Sequence, residues 1–314
     1  MKKLKEQFLE VSDALGLGNP AIIEKDYWVV ALLAELEKLE FDTHQMVFSG
    51  GTALAKSNVK ILRMSEDVDI KLIPTDAFNS FGRSKRRAER KDLVQKIEKS
   101  LTHQSSYFSI EEKIVRDEYR YVEYELKYPQ QFSQAPCLRP IIRLELMETV
   151  PLLHLEQRSI QSLVAELYHQ PHEVNAFSCI SVQSTLVEKV ISMLRRTMLV
   201  KRDFERKDDA TLIRHIYDVH CIDAEQKLDF ETLMPLFQTV LQEDVKRFGN
   251  QHAEFVANPV QELQLGLQEI ESNPMFRQRF TDFVTPMVFD TKTPDFDTCF
   301  ASFKRIAQSL MNSN

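Results

Sequence analysis

The sequence predicts an α+β protein: a mixed strand-and-helix half, residues 1–175, followed by a helical half, residues 176–314. Three observations carry this. Short runs such as "DVDIKLI" (Asp67 to Ile73) alternate apolar and polar residues with the period of a strand. Longer runs such as "AIIEKDYWVVALLAELEKLE" (Ala21 to Glu40) carry apolar residues at helical spacing. Beyond about Asn175 the pattern is helical, broken at prolines, as in "SVQSTLVEKVISMLRRTMLV" (Ser181 to Val200) and "DDATLIRHIYDVHCI" (Asp208 to Ile222).

The elements follow in order. "MKKLKEQFLEVSDALGLG" starts basic but then carries Glu6, Glu10 and Asp13, so it reads as an amphipathic helix and not a signal peptide. Asn19-Pro20 starts the next helix, because Asn caps and Pro is tolerated in a first turn. "QMVFS" is a short buried strand ending at Gly50-Gly51, and "TALAKSN" suits a short helix after that turn. In "DVDIKLI", Val68, Ile70 and Leu72 share one face and Asp67, Asp69 and Lys71 the other. Ser84 to Leu101 is charged and helical, and Tyr107 to Tyr128 reads as a hairpin. "LRPIIRLELMET" is a strand with Ile142, Leu144 and Leu146 opposite Arg143, Glu145 and Met147.

Composition bounds the function. A chain of 314 residues, 43% hydrophobic and 28% charged, can bury a core and form two domains. No apolar run is long enough to cross a bilayer. Cys137, Cys179, Cys221 and Cys299 are far apart and read as free thiols of a cytoplasmic protein, not a zinc site. A net charge of −7 argues against coating nucleic acid by bulk electrostatics. Two segments are locally basic, "SKRRAERK" (Ser84 to Lys91) and "RRTMLVKRDFERK" (Arg195 to Lys207). Charge alone makes such runs solvated helix faces.

The chemistry concentrates in "VFSGGTALAKSNVKILRMSEDVDIKLI" (Val47 to Ile73). Asp67 and Asp69 are i and i+2 of one strand, so they project together and repel unless a cation lies between them. Mg²⁺ suits such oxygen donors, with Mn²⁺ the other candidate, and Glu145 is the best third carboxylate. Gly50 and Gly51, two of only seven glycines, let the backbone approach a phosphate closely. Thr52 opens the following helix, and Arg63 and Ser65 add a cation and a hydroxyl. Taken singly, a double glycine is a tight turn and D-x-D a wet strand face. In this order they describe a triphosphate cradle beside a metal site. Neither a Walker A loop nor a Rossmann fingerprint is present.

"FSGGTALAK" followed by "RMSEDVDI" resembles the signature of the AbiEii/AbiGii nucleotidyltransferase toxins, relatives of the MenT toxins within the DNA polymerase β-like nucleotidyltransferase superfamily. "IEKDYWVVALL", "TLVEKVISMLRR" and "RHIYDV" are similar to further segments of that family, in the same order. The turn here is GG where the superfamily more often has GS, and it lies further from D-x-D. The resemblance implies a polymerase β-like domain with a mixed sheet, then a helical domain. It implies that Gly50, Gly51 and Thr52 hold the phosphates of an NTP, and that Asp67 and Asp69, with Glu145, hold metal. It implies that Lys189 and Asp218 complete the catalytic set. It further implies an RNA acceptor, the 3′ end of a tRNA, a cognate antitoxin protein, and a toxin–antitoxin or phage-defence setting.

From the residues alone, Lys189 shares a helix face with Met193 and Arg196 and is placed to reach a phosphate or to make a surface salt bridge. Arg214 and Asp218, at i and i+4, can simply pair, and His215 reads as structural. Arg195, Arg196, Lys201 and Arg202 are the expected RNA contacts. Two alternatives stay open: transfer of a phosphoryl or nucleotidyl group to a protein hydroxyl, and a binding module without catalysis.

Overall fold

In the computed structural model the described residues are 2–103, 107–133, 138–150, 154–203, 205–289 and 293–312. The chain divides into two compact units: Met1–Ser57 with Met64–Ile180, and Asn58–Arg63 with Ser181–Asn314. A single boundary near residue 175 does not anticipate that Asn58–Arg63 belongs with the second unit.

The first unit is built on seven strands: β1 (His44–Ser49), β2 (Asp67–Pro74), β3 (Ser109–Arg116), β4 (Tyr121–Lys127), β5 (Ile142–Glu148), β6 (Leu155–Ile160) and β7 (Val174–Ile180). They form one mixed sheet in the order β3-β4-β5-β2-β1-β7-β6. β1 and β2 are antiparallel, whereas β2 pairs with β5, and β1 with β7, in parallel. The expected hairpin is β3-β4. β6 and β7 are strands that the sequence reading does not foresee.

Six helices accompany the sheet: α1 (Lys2–Ala14), α2 (Pro20–Glu37), α3 (Gly50–Ala55), α4 (Asp76–Asn79), α5 (Arg83–Leu101) and α6 (Leu163–Leu167). Asn19 caps α2, its side chain accepting from the Ala21 N–H at 2.9 Å. The alternation read in β2 and β5 sets the packing. Val68, Ile70, Leu72, Leu144 and Leu146 form one core with Leu32, Leu33 and Leu36 of α2 and Leu93, Val94 and Ile97 of α5. Asp67, Asp69, Arg143 and Glu145 stay half-exposed on the other face.

The second unit is helical: α7 (Val182–Arg202), α8 (Arg214–Glu225), α9 (Phe230–Phe248), α10 (Ala253–Ala257), α11 (Pro259–Ser272), α12 (Met275–Phe283) and α13 (Phe296–Met311). Ser181 caps α7 by accepting from the Ser184 N–H at 3.1 Å. α11 comes so close to α7 that a Cβ on Gly266 would lie 2.6 Å from the Leu194 carbonyl oxygen. Leu62 and Arg63 join this unit as an added strand-like segment: the Phe289 N–H donates to Leu62 O at 2.8 Å, and Arg63 bridges Val288. Cys179, Cys221 and Cys299 are buried free thiols, while Cys137 lies outside the described residues.

Candidate active site

Strand register assembles the acidic centre. Across β2, β5 and β4, Asp69 stands beside Glu145 and Glu145 beside Glu123; one rung away the order is Asp67, Arg143, Glu125. Side chains on one rung of adjacent strands lie about 5 Å apart at Cβ. Burial raises the Glu145 pKa first, and the nearby charges of Glu123 and Asp67 raise it further against the pull of Arg143. This rung therefore carries excess negative charge.

The glycine turn is shaped around one of these carboxylates. Gly50 has φ +77°, and a Cβ placed on it would sit 1.9 Å from Asp69 Oδ2. Only glycine satisfies both conditions. The hydroxyls of the turn are used inside the fold. Ser49 Oγ donates to the Asp69 carbonyl at 3.1 Å. Thr52 Oγ1 reaches both Ser65 Oγ, at 2.9 Å, and the Asp67 carbonyl oxygen. Thr52 is 2% exposed, so its hydroxyl braces the turn against β2 and does not face outward as a phosphate ligand would. Ser65 is its partner in that brace.

Asp67 is held by two guanidinium groups. Arg139 Nη1 lies 2.5 Å from Oδ1, and Arg143 spans the carboxylate with Nε at 3.3 Å and Nη2 at 3.2 Å. Among the described residues no three His, Cys, Asp or Glu side chains form a ready-made metal cluster, so the expected trio Asp67, Asp69 and Glu145 is not gathered as one. Its chemistry still fits a hard divalent cation: the donors are carboxylate oxygens on adjacent strands, and a cation would offset the burial and, after it, the neighbouring negative charges that raise Glu145. Arg139 and Arg143 are the groups it would displace from Asp67.

The sequence reading passes over three positioning residues. Glu24, Lys25 and Asp26 are consecutive and buried on α2. Lys25 Nζ donates to the carbonyls of Arg139, at 2.9 Å, and Ile141, and lies 3.2 Å from Glu66 Oε2. Glu66 in turn accepts from the Arg139 N–H at 3.0 Å. Glu24 accepts from the N–H groups of Gln131 and Phe132, while Asp26 accepts from Leu163 N–H at 2.7 Å and pairs with Lys56 at 2.5 Å. Thus α2 pins the approach to β5, the residue before Asp67 and the end of the glycine helix. The signal was present: three successive charges span about 200° of a helix whose neighbours are apolar, so some must be buried.

In the second unit Lys189 of α7 and Arg63 converge on Asp218 of α8. Arg63 forks onto it with both bonds at 2.6 Å, and Lys189 Nζ stands 2.7 Å from Oδ2. Burial raises the Asp218 pKa, but Arg63 and Lys189 outweigh it and hold the carboxyl below the usual range. Burial lowers the Lys189 pKa, and Asp218 recovers only part of that loss. Two cations on one carboxylate leave net positive charge at a site where Lys189 is 6% exposed. Arg63, expected among the phosphates, is 4% exposed and holds Asp218 instead. Arg214 donates to Thr211 O and Oγ1. His215 is kept neutral, by burial first and by Lys189 second.

The basic run on α7 is neutralised by partners in its own unit. Arg195 is 5% exposed, donates to Asp244 at 3.0 Å and lies over Phe248. Arg196 pairs with Asp209, Lys201 with Glu269 and Arg202 with Glu262. These side chains stabilise the helical unit, and the expected RNA contact gains no support from them.

A mixed sheet that presents D-x-D beside a glycine turn is the framework of a nucleotidyltransferase. Residues 31–302 match the family described as nucleotidyl transferase AbiEii toxin, type IV toxin–antitoxin system, and the chain belongs to that family. Among solved structures it is similar to MenT4, a nucleotidyltransferase toxin from Mycobacterium tuberculosis, with a TM-score of 0.58 and 15% identity. That match covers 98% of this chain and 90% of the other, and it shows a shared fold. A comparison with curated proteins finds no match. The protein is thus a nucleotidyltransferase of a toxin–antitoxin family, and no helix among the described residues is long and apolar enough to cross a membrane.

Proposed function

We propose that the enzyme transfers a nucleoside monophosphate from an NTP to the 3′ hydroxyl of an RNA, with the tRNA acceptor end as its target, and so blocks translation. The observation that carries this is the Asp69–Glu145 rung with Asp69 lying against Gly50, which puts neighbouring carboxylates and a glycine turn at one place. The new bond joins the RNA oxygen to the α-phosphorus. The bond between the α- and β-phosphates breaks, and pyrophosphate leaves.

Asp67, Asp69 and Glu145 would hold Mg²⁺ or Mn²⁺, which when bound neutralises charge on the attacking and leaving oxygens. The Gly50-Gly51 turn lets backbone N–H groups meet phosphate oxygens without a side chain in the way. Lys25, through Glu66 and the Arg139 backbone, fixes the strand entry from which Asp67 projects. Lys189 supplies an ammonium for a phosphate oxygen. Asp218 and Arg63 set its position, so Asp218 acts through Lys189. A cognate antitoxin and a cytoplasmic setting, in phage defence or growth control, belong to this reading.

The test is incubation with NTPs labelled at either the α- or the γ-phosphate, with tRNA and protein both offered as acceptors. Label from the α-phosphate on tRNA supports the reading. Label from the γ-phosphate on protein assigns phosphoryl transfer and overturns it.

A further inference from the structure

The reactive face of the sheet carries a tyrosine beside its carboxylates. Tyr121 opens β4. With Glu123 it stands on the same side of the sheet as Glu145 and Asp69, while Val122, Tyr124 and Leu126 enter the core. The Arg116 guanidinium lies over its ring, 5.6 Å from the centroid, and Arg116 is also its register partner on β3. The Tyr121 hydroxyl donates to Glu123 Oε2 at 2.5 Å and lies within hydrogen-bond reach of Glu145.

Folding alone would not favour this row. Glu123, Glu145 and Asp69 are direct cross-strand neighbours, and like charges directly opposite one another destabilise a sheet. Arg143 Nε stands 3.6 Å from Glu145, but the same guanidinium is engaged with Asp67. Among the described residues no cation comes within ion-pair distance of Glu123, and Tyr121 is the group that holds it. Glu145 therefore sits between a carboxylate tied by a phenol and a carboxylate packed against Gly50. Without the phenol, repulsion from both sides would swing it out of the row.

We propose that Tyr121 is a positioning residue of the carboxylate site: its hydroxyl ties Glu123 to the rung and restrains Glu145 beside Asp69, where a divalent cation would bind; this rests on the metal-binding, nucleotidyl-transfer reading of that rung. Tyr121 acts through Glu145 and Glu123, not on the cation itself. Groups that hydrogen-bond a metal-ligating carboxylate fix its orientation, and their loss weakens metal binding by roughly 10- to 100-fold. Tyr124, on the same strand, gives an internal comparison. It faces the core, where its hydroxyl donates to Glu98 at 3.0 Å.

The experiment titrates Mn²⁺ calorimetrically, without nucleotide, into wild type, Tyr121→Phe, Tyr124→Phe, Asp69→Asn and Glu145→Gln, with a thermal melt of each. Tyr→Phe removes only the hydroxyl. The expected result is Mn²⁺ binding weaker by about tenfold in Tyr121→Phe, with a melting temperature close to that of wild type, and unchanged binding in Tyr124→Phe. Transfer from an α-labelled NTP by Tyr121→Phe should fall at limiting Mn²⁺ and recover at saturating Mn²⁺. An equal loss of Mn²⁺ binding in Tyr121→Phe and Tyr124→Phe would mark a general loss of structure and overturn the proposal. If Tyr121→Phe binds as wild type while Asp69→Asn and Glu145→Gln lose Mn²⁺, the positioning role falls and the site reading stands. If those two also bind as wild type, the metal reading falls and the proposal with it. If the wild type transfers no nucleotide while the Mn²⁺ pattern is as expected, the reaction reading falls and the positioning role stands.

Discussion

Arg139 occupies a carboxylate of the proposed metal site: its Nη1 lies 2.5 Å from Asp67 Oδ1, while its own backbone is fixed by Lys25 and Glu66. The pivot is rigid and the arm, 38% exposed at the side chain, is not buried. Arg139 thus competes with any cation for Asp67. Arg139→Ala should bind Mn²⁺ more tightly in the absence of nucleotide, by about fivefold for a partly exposed pair of this kind. Calorimetric titration of Mn²⁺ reads this directly, and unchanged or weaker binding would remove Asp67 from the ligand set.

Gly50 has no tolerated substitute. In Gly50→Ala the new Cβ meets Asp69 Oδ2 at 1.9 Å in a backbone with φ +77°. The expected cost is ~2 kcal/mol of stability. Transfer should fall by ~100-fold or more, because displacing a reacting group by about an ångström has that effect. Denaturation midpoints and single-turnover rates check the two separately.

Lys25 is a structural charge whose loss should be felt in folding. Lys25→Met leaves Glu66, 6% exposed at its side chain, with only the longer ion pair to Arg139 at 3.9 Å and frees two backbone carbonyls. Breaking a buried pair from one side costs about 3 kcal/mol or more. Replacing both partners, as Lys25→Met with Glu66→Gln, should recover part of that in chemical denaturation.

The pH dependence has an assigned source in Glu148. Burial raises its pKa, but hydrogen bonds from His44 and Arg90 overrule this and bring it from 4.5 to about 2. A depressed carboxylate contributes stability above its unfolded pKa and loses it as pH falls toward the folded value. The contribution, of the order of 2 kcal/mol, is present at pH 7 and lost between about pH 4.5 and pH 2. Glu148→Gln should therefore be less stable than wild type at pH 7, with the two converging near pH 2.

Much of the first unit is legible in the sequence because its strands contrast two faces. "DVDIKLI" shows both the core side and the reactive side, and the register of β2 with β5 then brings Asp69 to Glu145. β7 is not legible in this way. In "VNAFSCI" both Asn175 and Ala176 are exposed, which breaks the alternation, and the strand exists because β1 and β6 pair with it. Arg63 shows the limit most clearly. It lies four residues before Asp67, yet its partner Asp218 is 155 residues away, and no local pattern encodes that contact. Thr52 likewise has the expected residue type and place but turns its hydroxyl into the fold.

In the proposed reaction Asp69 serves nucleotide addition to RNA. Its most direct test is expression in a growing bacterial host of wild type and Asp69→Asn, with tRNA 3′ ends sequenced in both. Growth arrest and extended tRNA 3′ ends are expected with wild type, and neither with Asp69→Asn. Arrest by both proteins with unmodified tRNA ends would contradict it.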